Sequence, residues 1–289
     1  MTAQSTPTTI APARRRSFGR AVGMHLLLIS AALLMIYPLL WMIVSSLRDN
    51  SEIFSHSSLL ITDATFDNYV RGWNAQQYSF GRYFMNSFIV TSAVILGNVL
   101  SCSLTAYAFA RLSFRFKAFF MAVLLTTIML PEHVTVVPQY ILFSELGWLN
   151  TFLPLTVPSF FATSAFFVFL LVQFMRGIPR EIDEAASIDG CGPFQIYWRI
   201  MLPLVGPALA TTAIFSFVWT WNDFFRPLIF LTDSSLFTVP MALRLFADLT
   251  GTDWGALFAM SVLSIAPVFV FFVFGQRYLI RGIATTGLK

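Results

Sequence analysis

Six stretches of the chain contain no Asp, Glu, Lys or Arg: residues 21–47, 83–110, 118–131, 146–175, 200–222 and 254–276. They run for 27, 28, 14, 30, 23 and 23 residues. A helix needs roughly 20 predominantly apolar residues to cross the hydrocarbon layer of a bilayer. Five stretches meet that requirement outright. The third, which ends at Pro131-Glu132, meets it only if its helix continues toward Pro138.

Charge placement decides whether the third stretch crosses, because Lys and Arg accumulate in cytoplasmic loops. With six crossings and both termini inside, the inner segments hold 13 of the 18 cations. These are Arg14, Arg15, Arg16 and Arg20; Arg111, Arg115 and Lys117; Arg176, Arg180 and Arg199; and Arg277, Arg281 and Lys289. The outer segments hold only Arg48, Arg71, Arg82, Arg226 and Arg244, together with 10 of the 14 acids. Without the third crossing, the later cationic clusters would face outward. The pattern predicts an all-α polytopic membrane protein with six transmembrane helices.

The segments between spans follow from the same count. Residues 1–20 read as a basic inner tail, 21–47 as the first span, 48–82 as an outer segment too short for a domain, and 277–289 as an inner C-terminal tail. Arg15-Arg16-Ser17-Phe18 imitates a twin-arginine export signal. The apolar stretch that follows is about twice the length of a signal-peptide core and lacks an A-x-A cleavage site, so it reads as a membrane helix. Residues 132–150 and 232–254 read as outer connections, the former irregular or a short helix. Asn86, Asn98 and Gln173 are expected to make interhelical hydrogen bonds.

Composition narrows the chemistry. Hydrophobic residues make up 57% of the chain and charged residues 11%, against about 25% charged in a typical soluble domain. Mean hydropathy is +0.73. An ordinary water-soluble enzyme is excluded. The net charge of +4 does not indicate nucleic acid, since the cations flank apolar runs and form no basic face. Two cysteines, Cys102 and Cys191, make no disulfide framework. His25, His56 and His133 have no ligand-like spacing, so no metal site is expected.

The inner loop 176–203 carries the most informative motif. Pro179 is suited to opening a helix. Glu181, Asp183 and Glu184 follow in the first turn, where the helix dipole favours acids. Gly190 comes where a left-handed C-cap is expected, and Gly192-Pro193 starts a second helix, 194–202, ended by Pro203. Glu184-Ala185-Ala186, Gly190 and Ile200-x-Leu202-Pro203 match the EAA loop of bacterial ABC importer permeases at every fixed position.

Other phrases resemble the maltose-type carbohydrate uptake branch of that family. They are Ala106-Tyr107-Ala108-Phe109-Ala110-Arg111-Leu112, Met129-Leu130-Pro131 with Pro138-Gln139-Tyr140, Leu146-Gly147-x-Leu149-Asn150-Thr151, and Trp221-Asn222-Asp223-Phe224. The resemblance runs from about residue 83 to the C-terminus and implies the type-I importer permease fold, with residues 83–276 as its core. It implies a permease subunit of an ATP-driven, binding-protein-dependent sugar importer in a bacterial inner membrane. Its partners would be a second homologous permease, a dimer of ATP-binding subunits and an extracytoplasmic solute-binding protein. Glu184, Ala185, Ala186, Gly190, Ile200, Leu202 and Pro203 would couple to the ATPase.

Other roles stay open between the resemblance and simpler readings. Asn222 and Asp223 line the sugar path, or Asp223 marks the outer interface and pairs with Arg226. Trp219 and Trp221 stack on sugar faces, or belong to an interfacial aromatic belt. Arg281, Gly282 and Lys289 touch the ATP-binding subunits, or only anchor the tail inside. The two lysines, Lys117 and Lys289, lie outside any phosphate-binding G-x-x-x-x-G-K-[ST] loop, so ATP and Mg are expected on partner subunits and no cofactor on this chain. The alternative, a self-sufficient secondary transporter, would want coupling-ion carboxylates deep in several spans, where this chain has almost none. A membrane enzyme would want a clustered acid/base or metal site.

Overall fold

A computed structural model describes residues 18–55, 59, 64–248 and 251–286. Arg14, Arg15 and Arg16 of the expected inner tail lie outside the described residues. The first helix, α1, spans Phe18–Ser46. A short helix, α2 (Asp67–Asn74), precedes the long α3 (Phe80–Arg111). Next come α4 (Lys117–Ile128) and α5 (Glu132–Glu145). Then α6 (Leu153–Thr156), a 3-10 turn at Val157–Phe161 and α7 (Ala165–Arg176) form one apolar run.

The inner loop folds as α8 (Glu181–Ile188), α9 (Pro193–Ile196), a π turn at Tyr197–Met201 and α10 (Leu202–Leu204). The chain returns as α11 (Gly206–Trp221), then α12 (Phe225–Phe230), a 3-10 turn at Ser234–Leu236 and α13 (Val239–Arg244). A hairpin of two-residue strands, β1 (Ala247–Asp248) and β2 (Gly251–Thr252), pairs antiparallel before α14 (Trp254–Thr286).

Four helical runs are long and apolar enough to cross a membrane alone: Val22–Ser46, Phe80–Arg111, Leu153–Arg176 and Trp254–Arg277. Two more qualify only as bent pairs, so the count reaches six when each pair is one span. The third stretch does not continue straight toward Pro138. Its helix stops at Ile128 and resumes as α5 at 104°, because Pro131 holds extended backbone (ψ 132°) and disfavours helix at the residue before it. The fifth stretch is broken likewise. Residues 193–204 turn by 75° into α11 at Val205, ahead of Gly206-Pro207. The inner helix also outlasts its expected end at Pro203. The Leu202 N–H already reaches the Tyr197 carbonyl, five residues back, and the i→i+5 shift of a π turn accommodates the proline in the ladder.

At about 1.5 Å per residue, α3 is roughly 48 Å long, and the other elements pack around it. Polar groups buried in an apolar layer must find partners within the protein, and most of those of α3 reach other elements, though the Tyr83 hydroxyl and Thr91 Oγ1 make no hydrogen bond among the described residues. Asn86 Nδ2 donates to the carbonyls of Ser235 and Phe237, both at 2.9 Å, and Ser87 Oγ accepts from the Val239 N–H at 2.8 Å. Asn98 Nδ2 donates to Ser216 Oγ at 3.1 Å on α11. Ser101 Oγ donates to the Ser159 carbonyl at 2.7 Å and accepts from the Ala162 N–H at 3.1 Å. The interhelical bond expected of Asn98 is made, whereas Asn86 holds the connection between α12 and α13. Gln173 instead lies on the exposed side of α7.

The short helix α2 ties the end of α1 to the start of α14. Asn68 Nδ2 donates to the carbonyls of Ser46 and Arg48, at 3.0 and 2.6 Å, and Arg71 Nε lies 3.2 Å from Asp253 Oδ2. Most of α1 otherwise exposes its apolar side chains, as do α4 and α5. These faces have the character of surfaces presented to lipid or to other helices.

Backbone approach is tightest where α3 meets the 3-10 turn, because a Cβ at Gly97 would lie 3.0 Å from the carbonyl carbon of Ser159. Gly97→Val should therefore destabilise the protein by about 1–3 kcal/mol through overpacking, seen as a lower Tm of the detergent-purified chain. An unchanged Tm would show that this contact yields freely.

Candidate functional site

The inner loop is built on a short helix with a definite start and stop. Pro179 lies just ahead of the first turn, and Arg180 is the capping residue. Glu181, Asp183 and Glu184 all sit in the first turn, where carboxylates meet the positive end of the helix dipole. At the other end Gly190 takes φ +84°. The Cys191 N–H bonds the Ala186 carbonyl at 2.9 Å and the Gly190 N–H bonds the Ser187 carbonyl at 3.1 Å. These are the paired bonds of a Schellman stop. Gly192 then opens α9, its N–H donating to Gln195 Oε1 at 3.0 Å.

The structure divides the EAA positions into two groups. Glu184, Ala185 and Gly190 are exposed. Ala186 faces inward and packs in a core shared with Ala106, Tyr107, Ala110 and Met175. Ile200 and Leu202 are half-buried against that same core, and Pro203 is exposed. Of the two adjacent alanines, Ala185 is exposed and Ala186 buried. An α-helix turns 3.6 residues per turn, so adjacent alanines point about 100° apart.

Sequence reasoning missed the apolar part of the outward surface. Ile188 is 87% exposed and Phe194 70% exposed, and Trp198 is also exposed. Side chains of this kind are characteristic of an interface. Also missed was the attachment of the loop to α3. Arg111 Nε lies 3.1 Å from Asp183 Oδ2, with side chains only 5% and 19% exposed. The contact is ionic, since the Nε–H is not aligned as a hydrogen bond. Arg111 Nη2 donates to the Ile178 carbonyl at 2.8 Å, and the Tyr107 hydroxyl donates to the Pro193 carbonyl at 3.0 Å. Ser103 Oγ and the Tyr197 hydroxyl share a hydrogen bond of 2.8 Å. The signal was present in the sequence as polar residues at four-residue intervals, 103, 107 and 111, on an apolar helix.

At the opposite end of α11, the two tryptophans have different roles. Trp221 is 2% exposed, stacked on Phe217, and its indole N–H donates to the Ser264 carbonyl at 3.0 Å. It has no free face for a sugar, so the path-lining expectation is corrected for this residue. Trp219 is 49% exposed, with one face against Phe167. Asn222 terminates α11, exposed, its Nδ2 donating to the Val218 carbonyl at 2.7 Å. Asp223 is half-buried and its Oδ1 accepts from the Arg226 backbone N–H at 3.2 Å, capping α12.

Asp223 also lines a cavity of about 30 Å3 with Ser87, Thr91, Thr220, Arg226 and Thr238. Nearby, Asp233 caps the 3-10 turn, and the Ser235 backbone N–H it accepts, followed by the Ser235 hydroxyl, holds its carboxyl below the ordinary value. In the C-terminal segment, Arg281 and Gly282 fall within α14, and Lys289 lies outside the described residues. Among the described residues, no three His, Cys, Asp or Glu side chains gather as metal ligands.

The helix–turn–helix of α8 and α9 is fastened to a bundle of apolar helices. Residues 97–285 match the binding-protein-dependent transport system inner membrane component. The chain belongs to that family. The chain is similar to the probable ABC transporter permease protein YurM of Bacillus subtilis, 37% identical over 88% of this chain and 83% of the relative. The arabinooligosaccharides transport system permease protein AraQ of Halalkalibacterium halodurans is 33% identical over 89% of this chain and 92% of its own. The trehalose/maltose transport system permease protein MalG of Thermococcus litoralis is 34% identical over 92% and 97%. A solved bacterial ABC transporter involved in the import of the acidic polysaccharide alginate shares the fold, with a TM-score of 0.81 at 22% identity over 94% of this chain and 99% of that one. The chain is therefore a permease of the inner-membrane component family, with a polytopic, mainly helical fold.

The two tryptophans should separate in stability. Trp221→Ala removes a buried ring and should cost about 3–5 kcal/mol. Trp219→Ala should cost roughly 1 kcal/mol or less, as the residue is half-exposed. Thermal unfolding of the purified chain measures both, and equal losses would contradict the assignment of Trp221 alone to the core.

Proposed function

We propose that the chain is the permease subunit of an ATP-driven, binding-protein-dependent sugar importer in a bacterial inner membrane, with both termini cytoplasmic. It forms half of the translocation path beside a second, homologous permease. A dimer of ATP-binding subunits supplies ATP and Mg from the inner side, and an extracytoplasmic solute-binding protein delivers the sugar. Relatives named for arabinooligosaccharide and trehalose/maltose transport support the substrate class. A transporter of this fold solved with a sugar-bound periplasmic protein supports the delivery partner. The 13 cations assigned to the inner segments support the orientation.

One observation carries the coupling role. The loop presents Glu184, Ala185, Gly190, Ile188 and Phe194 outward while its other face is fixed to the bundle. A docked helix transmits motion only if it is held on both sides. Glu184 supplies a carboxylate for a cation of the ATP-binding subunit, and the apolar pair fills its cleft. Asn222, Asp223 and Trp219 are the proposed path residues, and Arg281, Gly282 and Lys289 the proposed second contact with the ATPase dimer.

Glu184→Lys places like charge at the contact and should weaken ATPase association by on the order of tenfold or more. Gly190→Val meets no neighbour within 4 Å in this chain, so its effect comes from strain at positive φ and from bulk against the partner. Both variants should insert normally and lose copurification of the ATPase or its stimulation by sugar-loaded binding protein. Wild-type association and stimulation in both would refute the coupling role. For the path, Asn222→Leu should lower uptake by about three- to tenfold, the weight of one lost hydrogen bond, in a normally assembled complex. Undiminished uptake would remove Asn222 from the path.

A further inference from the structure

We propose that Arg111 is the positioning residue of the coupling loop, locking α8 to α3 so that ATPase-driven movement of the loop is delivered to that single span. The proposal rests on the coupling role just described. Three residues of α3 four positions apart, Ser103, Tyr107 and Arg111, lie on one helical face, and each holds a different part of the loop. Ser103 takes the Tyr197 hydroxyl, Tyr107 the Pro193 carbonyl, and Arg111 both the Ile178 carbonyl and the Asp183 carboxylate.

Apolar packing of Ala186, Ile196 and Met201 against the bundle is non-directional and would tolerate sliding or rotation of α8. The polar contacts are directional. Only the Arg111–Asp183 pair reaches α8 itself; the others fasten the chain before and after it. Among the described residues, α8 makes no side-chain hydrogen bond or ion pair to α7 or α11. The neighbouring acids of α8 therefore divide the work, Asp183 turned in toward Arg111 and Glu184 turned out.

Burial makes the pair consequential. The other oxygen of Asp183, Oδ1, is buried without a hydrogen-bond partner among the described residues, so Arg111 is the group that compensates its charge. Losing one member of such a pair leaves the other uncompensated. At its far end α3 holds the outer mouth: Arg82 Nε donates to the Ser235 carbonyl at 2.9 Å, and Asn86 and Ser87 hold the segment from Ser235 to Val239. One rigid helix thus connects the coupling loop to the outer connection between α12 and α13.

The test is sugar taken up per ATP hydrolysed, in proteoliposomes containing the full complex with sugar-loaded binding protein. Arg111→Met should leave the ATPase bound and active while uptake per ATP falls about fivefold or more, the scale of a coupling free energy. Asp183→Asn should do the same, and serves if Arg111→Met fails to accumulate. The exchange R111D/D183R should restore much of the ratio. A merely structural role would lower uptake and hydrolysis in proportion, leaving the ratio unchanged. An unchanged ratio in assembled Arg111→Met or Asp183→Asn, or no recovery on exchange, overturns the proposal. Failure of the wild-type chain to copurify with an ATPase would overturn the coupling role itself.

Discussion

Polar groups that enter an apolar layer must be satisfied there, and α3 organises this protein because it carries so many of them. Unpaired, each costs several kcal/mol in hydrocarbon; paired, each fixes a neighbour in one register. Asn86 and Ser87 set the outer connection, Asn98 sets α11, Ser101 sets the turn before α7, and Ser103, Tyr107 and Arg111 set the inner loop. Apolar packing supplies cohesion around this frame and little of its specificity, since lipid tails are as apolar as leucine.

The same logic explains where the helices break. The helices α1, α3 and α14 run uninterrupted for 29, 32 and 33 residues, α1 and α14 with Pro38 and Pro267 inside them. The third and fifth spans bend by 104° and 75° at proline-bearing joints. Bent helices leave backbone groups without helical partners. At the joint after α10, the Val205 N–H is taken by the Met201 carbonyl at 3.0 Å and the Leu209 N–H by the Val205 carbonyl at 3.0 Å. The bend separates a segment continuous with α8 and α9 from α11, which packs on α3 and α14.

Much of this was legible in the sequence. Charge-free length marked the four long apolar helical runs, and the two remaining stretches form bent helix pairs. The Schellman stop could be read because only a residue without a Cβ takes φ +84° at no steric cost, and Gly190 stands at that position. The breaks were less legible: the charge-free run 200–222 looks continuous, and only Gly206-Pro207 hints at the joint. Burial at the outer end was not. Trp219 and Trp221 were read alike, yet residues two apart on a helix point about 200° apart, so one of them had to face inward. The Arg111–Asp183 pair joins residues 72 positions apart in the chain; the 103, 107 and 111 spacing marks a polar face of α3 and does not name its partner.

The central claim is that the outward face of the inner loop lies against an ATP-binding subunit. A photo-crosslinking amino acid placed at Ile188 or Phe194, in cells that carry the whole transport system, tests it most directly. The account predicts a light-dependent adduct between this chain and the ATP-binding subunit from both positions, absent from a control position on the exposed face of α1 such as Met35. Adducts from Ile188 and Phe194 to lipid alone, or to the second permease instead of the ATPase, would contradict it.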